Sequence, residues 1–119
     1  MQQFSQSFTA VAESGGMILG LYILHPNNIG RCRHIANASY AVKSSVRRMK
    51  IGESLVKHSL KKGRQLGFKI LQFNAVVCSN TAAMRLYEKL GFTELGIIPS
   101  GFYNKSGNYE DIKLYYHVL

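Results

Sequence analysis

Residues 80–92 read NTAAMRLYEKLGF, and this stretch carries its own beginning and end. Asn80 is a favoured N-cap, because its side-chain oxygen can accept an otherwise unsatisfied N–H of the first turn. Ala83, Leu86, Tyr87 and Leu90 fall at the i, i+3, i+4, i+7 spacing of one buried helix face. Gly91 can adopt the left-handed conformation that stops a helix. The exception is Tyr87, a hydroxyl two turns below the cap on a face that should be apolar.

Working outward, residues 69–77 (KILQFNAVV) are apolar on both faces apart from Gln72 and Asn74, which suits a central strand covered by helices. Upstream, Ile51, Leu55, Val56 and Leu60 form an apolar helical stripe. Glu53 and Lys57 are an i,i+4 pair, and Gly67 closes that helix. Residues 33–42 alternate as a strand, with Ala36, Ala38, Tyr40 and Val42 on one face. His25 to Gly30 is a loop. Residues 4–24 read as two strands joined at Gly15-Gly16, a favourable two-residue hairpin turn. Downstream, a strand begins at Phe92, residues 99–108 (PSGFYNKSGN) read as a turn-rich loop, and 109–119 form a last strand. The order strand-strand-strand-helix-strand-helix-strand-strand predicts a mixed α/β sheet. A helical crossover joins its third and fourth strands. The chain is too short for a dinucleotide-binding fold and contains neither GxGxxG nor GxxxxGK[ST].

A length of 119 residues with 46% apolar composition predicts one domain, residues 1–119, with a core that needs no staples. No apolar run reaches a membrane span, and MQQFSQSFTA lacks the layout of a signal peptide, so a soluble cytoplasmic protein is expected. Cys32 and Cys78 have no metal-ligand spacing and are expected as separate thiols. The histidines (His25, His34, His58, His117) are scattered, so no metal site is expected.

Fifteen Lys and Arg against six Asp and Glu give a net charge of +9, which suits nucleic acid, an anionic membrane or a polyanionic small molecule. Nine of the fifteen lie between Lys43 and Lys69. Where the third strand gives way to a helix, Arg47, Arg48, Met49, Lys50, Ile51, Gly52 and Glu53 make a basic turn. Backbone N–H groups at a helix start face outward and favour an anion. Gly52 lets the backbone approach closely, so a pyrophosphate cradle is a plausible use of this turn.

Taken together, YAVKSSVRRMKIGESLV, the following strand and NTAAMRLYEKLGF resemble the GCN5-related N-acetyltransferase (GNAT) superfamily over roughly residues 4–119. The family's [R/Q]xxGx[G/A] pyrophosphate motif corresponds to Arg47–Gly52. Its Asn-x-x-Ala-x-x-x-Tyr-x-x-x-Gly-Phe signature is matched by Asn80, Ala83, Tyr87, Gly91 and Phe92. The resemblance implies acetyl-CoA as acetyl donor, with Asn80 contacting the pantetheine arm. It implies that backbone groups of Tyr40, Ala41 and Val42 pair with that arm as an added strand. An N–H there would polarise the thioester carbonyl. Tyr87 is then the acid that protonates the departing thiolate, and an acceptor amine attacks the thioester directly in a ternary complex.

This sequence departs from the family pattern in three places. Lys50 stands where the motif has its first glycine, and a residue with a Cβ does not take a positive φ cheaply; its ammonium can instead pair with a phosphate. Ala75 stands five residues before Asn80, where some members carry a glutamate base, which leaves Glu110, His34, His117 or a water chain for that role. The family's N-terminal strand and one or two helices, which help build the acceptor pocket, have no counterpart in the resemblance. An apolar edge at Phe4, Phe8 and Val11 therefore points to a homodimer. Two other classes compete with the enzyme reading: a non-catalytic acyl-CoA-binding protein and a basic nucleic-acid-binding domain. The second lacks any aromatic-basic motif, so nucleic-acid contact is expected to be non-specific only.

Overall fold

The computed structural model describes residues 7–27, 30–45 and 50–119. Strands β1 (Phe8–Ser14) and β2 (Met17–Pro26) form the expected hairpin. Gly15 and Gly16 both take positive φ, 57° and 81°, as the mirror-image turn that matches strand twist requires. A short 3-10 turn at Gly30–Cys32 leads to β3 (Ile35–Val42), which pairs antiparallel with β2 in the register Gly20↔Val42, Tyr22↔Tyr40 and Leu24↔Ala38. Then follow α1 (Ile51–Gln65), β4 (Ile70–Val77), α2 (Thr81–Lys89), β5 (Thr93–Tyr103) and β6 (Tyr109–Val118). The six strands lie in the order β1-β2-β3-β4-β6-β5, the mixed architecture anticipated from the sequence.

The chain divides into two compact units, residues 1–71 with 118–119, and residues 72–117. In the first, α1 packs on β2 and β3. Tyr22, Leu24, Ala36, Ala38, Leu55, Val56, Phe68 and Leu71 are buried there, each large apolar side chain contributing about 1.5–3 kcal/mol by leaving water. Ala36 and Ala38 lie in this core, and Tyr40 on the same face reaches α1, so the alternation assigned to β3 holds. Leu66 caps α1 and Gly67 follows at φ 93°.

The second unit is held by aromatic packing. Phe73 and Phe92 stack at 4.7 Å between centroids, and Tyr87 lies 4.5 Å from Phe73 and 5.8 Å from Tyr115. Such pairs add about 0.5–1.5 kcal/mol beyond their area.

Two expectations are corrected. Residues 99–103 are not loop: β5 runs on to Tyr103, and the connection is confined to 104–108. Pro99-Ser100-Gly101 forms an irregularity inside β5 rather than a turn between strands. Phe8 is not a bare edge residue either. Its ring lies 6.2 Å from that of Tyr22, and the Lys62 ammonium sits 4.6 Å above it. Val11 is exposed as expected, and Phe4 lies outside the described residues.

Candidate active site

The start of α2 is built as its sequence requires. The Asn80 side chain accepts the Ala83 N–H at 3.2 Å, and Gly91 at φ 93° ends the helix. Ala83, Leu86, Tyr87 and Leu90 are all half-buried, so the four share the inward face. The Tyr87 ring is wedged among Phe73, Phe92 and Tyr115. Among the described residues its hydroxyl makes no hydrogen bond, whereas neighbouring Tyr115 donates to Glu88 Oε2 at 3.2 Å. Burial pushes the Tyr87 phenol above its ordinary value, so it holds its proton through neutral pH. A fixed ring with an uncommitted, protonated hydroxyl is the arrangement a general acid needs.

The start of α1 is different. Lys50 is its N-cap at φ 60° and ψ 25°, and its side chain makes no capping hydrogen bond. The positive φ expected to be costly for a residue with a Cβ is the one Lys50 adopts. Lysine takes the left-handed conformation at a cost of roughly 1–2 kcal/mol, and the turn keeps the shape a glycine would give it. Ser54 N–H closes the first helical bond on the Lys50 carbonyl at 3.2 Å. The N–H groups before it are those a helix cannot satisfy internally. Glu53 in this first turn forms an i,i+4 pair with the exposed Lys57 at 3.0 Å. Among the described residues a Cβ added at Gly52 would meet only Val42 Cγ2, at 3.9 Å. Ala41 and Val42 line a shallow depression of about 250 Å³ with Ile18, Leu19, Gly20, Leu21 and Lys43.

Of the residues singled out in the sequence, Tyr40, Ala41, Val42, Lys50, Ile51, Gly52 and Glu53 fall in the first unit, Asn80 and Tyr87 in the second. Arg47, Arg48 and Met49 lie outside the described residues. Ala75 is exposed and offers no carboxylate. His34 lines a basic depression with Arg31 and Arg33, and His117 packs edge-on against Phe92 at 5.0 Å. Cys32 and Cys78 are both free thiols, as expected. Among the described residues no three His, Cys, Asp or Glu side chains stand together as a metal site, and no helix is long and apolar enough to cross a membrane.

Three polar clusters were not legible in the sequence. Tyr22 Oη meets His58 Nδ1 at 2.6 Å, and burial pushes the Tyr22 phenol up to about 12. Tyr40 Oη meets Ser59 Oγ at 2.6 Å, and Ser59 donates to the Val56 carbonyl at 2.7 Å. Glu110 accepts from Asn104 Nδ2 at 2.9 Å. Hydrogen bonds from Ser79 and Asn104 hold its carboxyl below the ordinary value.

Helix α1 follows β3, and helix α2, which bears Tyr87 and is capped by Asn80, follows β4. The acetyltransferase (GNAT) family profile matches residues 1–92, and the chain belongs to that family. N-acetyltransferase aca1 of Schizosaccharomyces pombe is 38% identical over 102 residues, which cover 84% of this chain and 49% of the relative. The chain thus spans about half the length of that relative. A GCN5-related N-acetyltransferase from Kribbella flavida superposes with a TM-score of 0.88 at 32% identity, over 95% of this chain and 68% of the other. The yncA protein of Salmonella typhimurium, solved with its cofactor acetyl-CoA, shares the fold at a TM-score of 0.88 and 21% identity, over 98% and 67%.

Proposed function

We propose that the chain is an acetyl-CoA-dependent N-acetyltransferase that moves an acetyl group to a primary amine by direct attack in a ternary complex. The observation that carries this reading is Tyr87, with its ring fixed by three aromatic neighbours, its proton retained and its hydroxyl uncommitted. The unfilled space over Gly52 and the uncapped start of α1 fit the phosphates of CoA. Acetyl-CoA supplies an activated acyl carbon and a thiolate leaving group.

The chain's residues have separate tasks. The Ile51 and Gly52 N–H groups and the Lys50 ammonium hold phosphate, with Arg47, Arg48, Met49 and Glu53 completing the turn. Backbone groups of Tyr40, Ala41 and Val42 and the Asn80 side chain hold the pantetheine arm. The Tyr87 hydroxyl gives its proton to the departing sulfur as the carbon–sulfur bond breaks. No carboxylate stands at Ala75 on β4, so the amine loses its proton to solvent or to a group elsewhere in the chain.

The test is to mix the protein with acetyl-CoA and a panel of primary amines, following CoA thiol release and the N-acetyl product by mass. Product that depends on both partners supports the reading. Tight acetyl-CoA binding with no product from any amine would favour a non-catalytic acyl-CoA-binding role.

A further inference from the structure

The hairpin β5–β6 carries a distortion that regular strand pairing does not need. Ile98 pairs with Ile112, and the next registered pair is Phe102 with Glu110. A regular ladder counted on from Ile98 would set Ser100 opposite Glu110; the extra residues set Phe102 there instead. Directly paired residues in an antiparallel ladder project to the same face, so the bulge places an aromatic ring beside a carboxylate.

The bulge is strained and specifically held. Ser100 has φ 57°, a conformation that costs a residue with a Cβ, and its N–H donates to Asp111 Oδ1 at 2.9 Å. At Gly101 an added Cβ would lie 2.6 Å from the Ile112 side chain, which would have to move to admit it. Bulges of this kind re-aim side chains beside functional sites.

Glu110 itself is fixed on two sides. Ser79, immediately before the Asn80 cap, and Asn104, at the hairpin end, both hydrogen-bond to its carboxylate. Asn104 is anchored in turn, its Oδ1 accepting from the Ser106 and Asn108 N–H groups at 3.0 Å each. Phe102 and Ile98 on the same face are 41% and 47% exposed, an apolar surface beside one fixed negative charge. A carboxylate next to an aromatic face and aliphatic side chains attracts an ammonium group that carries an apolar stem.

We infer that Glu110 and Phe102 form the subsite that binds the acceptor as a primary alkylammonium, a reading that rests on the acetyltransferase assignment. Glu110 acts here as counter-ion and not as base. Its carboxyl is held low by Ser79 and Asn104, so it stays ionised near neutrality and takes a proton poorly.

The experiment compares n-butylamine with O-propylhydroxylamine, a nearly isosteric probe that is neutral at pH 7. Glu110→Gln should raise KM for butylamine about 10–100-fold, the worth of a charge-assisted hydrogen bond. KM for the neutral probe should stay within about 2-fold, because no ion pair is lost. Phe102→Leu keeps the charge and should raise KM for butylamine about 2–5-fold. An equal rise for both probes, or no rise for butylamine, overturns the subsite. Nα-acetyl-lysine methylamide carries the same ammonium on a protein-type stem. Whichever amine has the lower parental KM names the source, and Glu110→Gln must raise KM for it.

The two readings fail separately. Calorimetry showing no acetyl-CoA binding by the parent overturns the acetyltransferase assignment. A parent that binds acetyl-CoA but acetylates neither probe is titrated by NMR with butylammonium. Shifts at Ser79, Asn104 and Glu110 that vanish in Glu110→Gln support the subsite, and shifts that persist or never appear overturn it.

Discussion

The two helices each follow a strand, yet they begin in opposite ways. At α2, the Asn80 side chain satisfies a first-turn N–H, so the helix start is closed by its own chain. At α1, a left-handed Lys50 turns the chain, and among the described residues no side-chain cap closes the start. A closed start stabilises; an open start forgoes about 1 kcal/mol of capping and is left able to receive an anion. The same division runs through the tyrosines. Tyr22, Tyr40 and Tyr115 each spend their hydroxyl on a neighbouring side chain, and Tyr87 does not. What sets Tyr87 apart is its placement, an uncommitted hydroxyl on a ring packed among Phe73, Phe92 and Tyr115.

The largest test of that division is Tyr87→Phe. The ring stays packed against Phe73, Phe92 and Tyr115, so folding should barely change, while turnover should fall by roughly 10²–10⁴-fold. Affinity for acetyl-CoA should hold within a few-fold, because the hydroxyl acts mainly in the transition state. Since burial raises this phenol, its alkaline limb in the parent pH–rate profile should lie above its ordinary value of 10.0. Steady-state kinetics and thermal melts on one sample decide it. Lost stability with unchanged turnover per folded molecule would make Tyr87 a packing residue only.

Opening the closed start is the next effect. Asn80→Ala should destabilise by about 1 kcal/mol, read by denaturant titration. A change within error would mean that the Ala83 N–H finds another partner and that the closed start is not a stabilising feature.

The smallest effect comes from relaxing the open start. Lys50→Gly removes the left-handed strain but adds chain entropy to the unfolded state, so a net gain of about 0.5–1 kcal/mol is expected. Acetyl-CoA affinity should fall a few-fold at the same time, because an ammonium near phosphate is lost. Gained stability with unchanged affinity would remove Lys50 from the cradle.

How much of this was legible depended on distance along the chain. Helix α2 could be read because its cap, period and stop lie within thirteen adjacent residues, 80–92. The strand order of elements followed from alternation and from Gly15-Gly16. Lys50 was read as a costly residue for a positive φ, and the turn imposes that conformation on it all the same. Pro99-Ser100-Gly101 was read as loop because the residues that make turns also make bulges; only pairing with Asp111 and Ile112 separates the two. The bonds from Tyr22 to His58 and from Tyr40 to Ser59 span 36 and 19 residues, and no local pattern announces such partners. Glu110 was visible as one carboxylate among few. Its neighbours Ser79 and Phe102 were not, because the fold rather than the spacing brings them to it.

The central claim, that the open start of α1 is a phosphate site, is tested most directly by calorimetric titration of acetyl-CoA into the parent, Gly52→Val and Lys57→Ala. Among the described residues a Cβ added at 52 meets only Val42, at 3.9 Å, so folding of Gly52→Val should survive. Acetyl-CoA binding should weaken by on the order of tenfold or more, because the branched side chain covers the N–H groups an anion must reach. Lys57→Ala, which removes only the pair with Glu53 at 3.0 Å, should leave binding nearly unchanged. Acetyl-CoA binding to folded Gly52→Val with the parent's affinity would contradict the account.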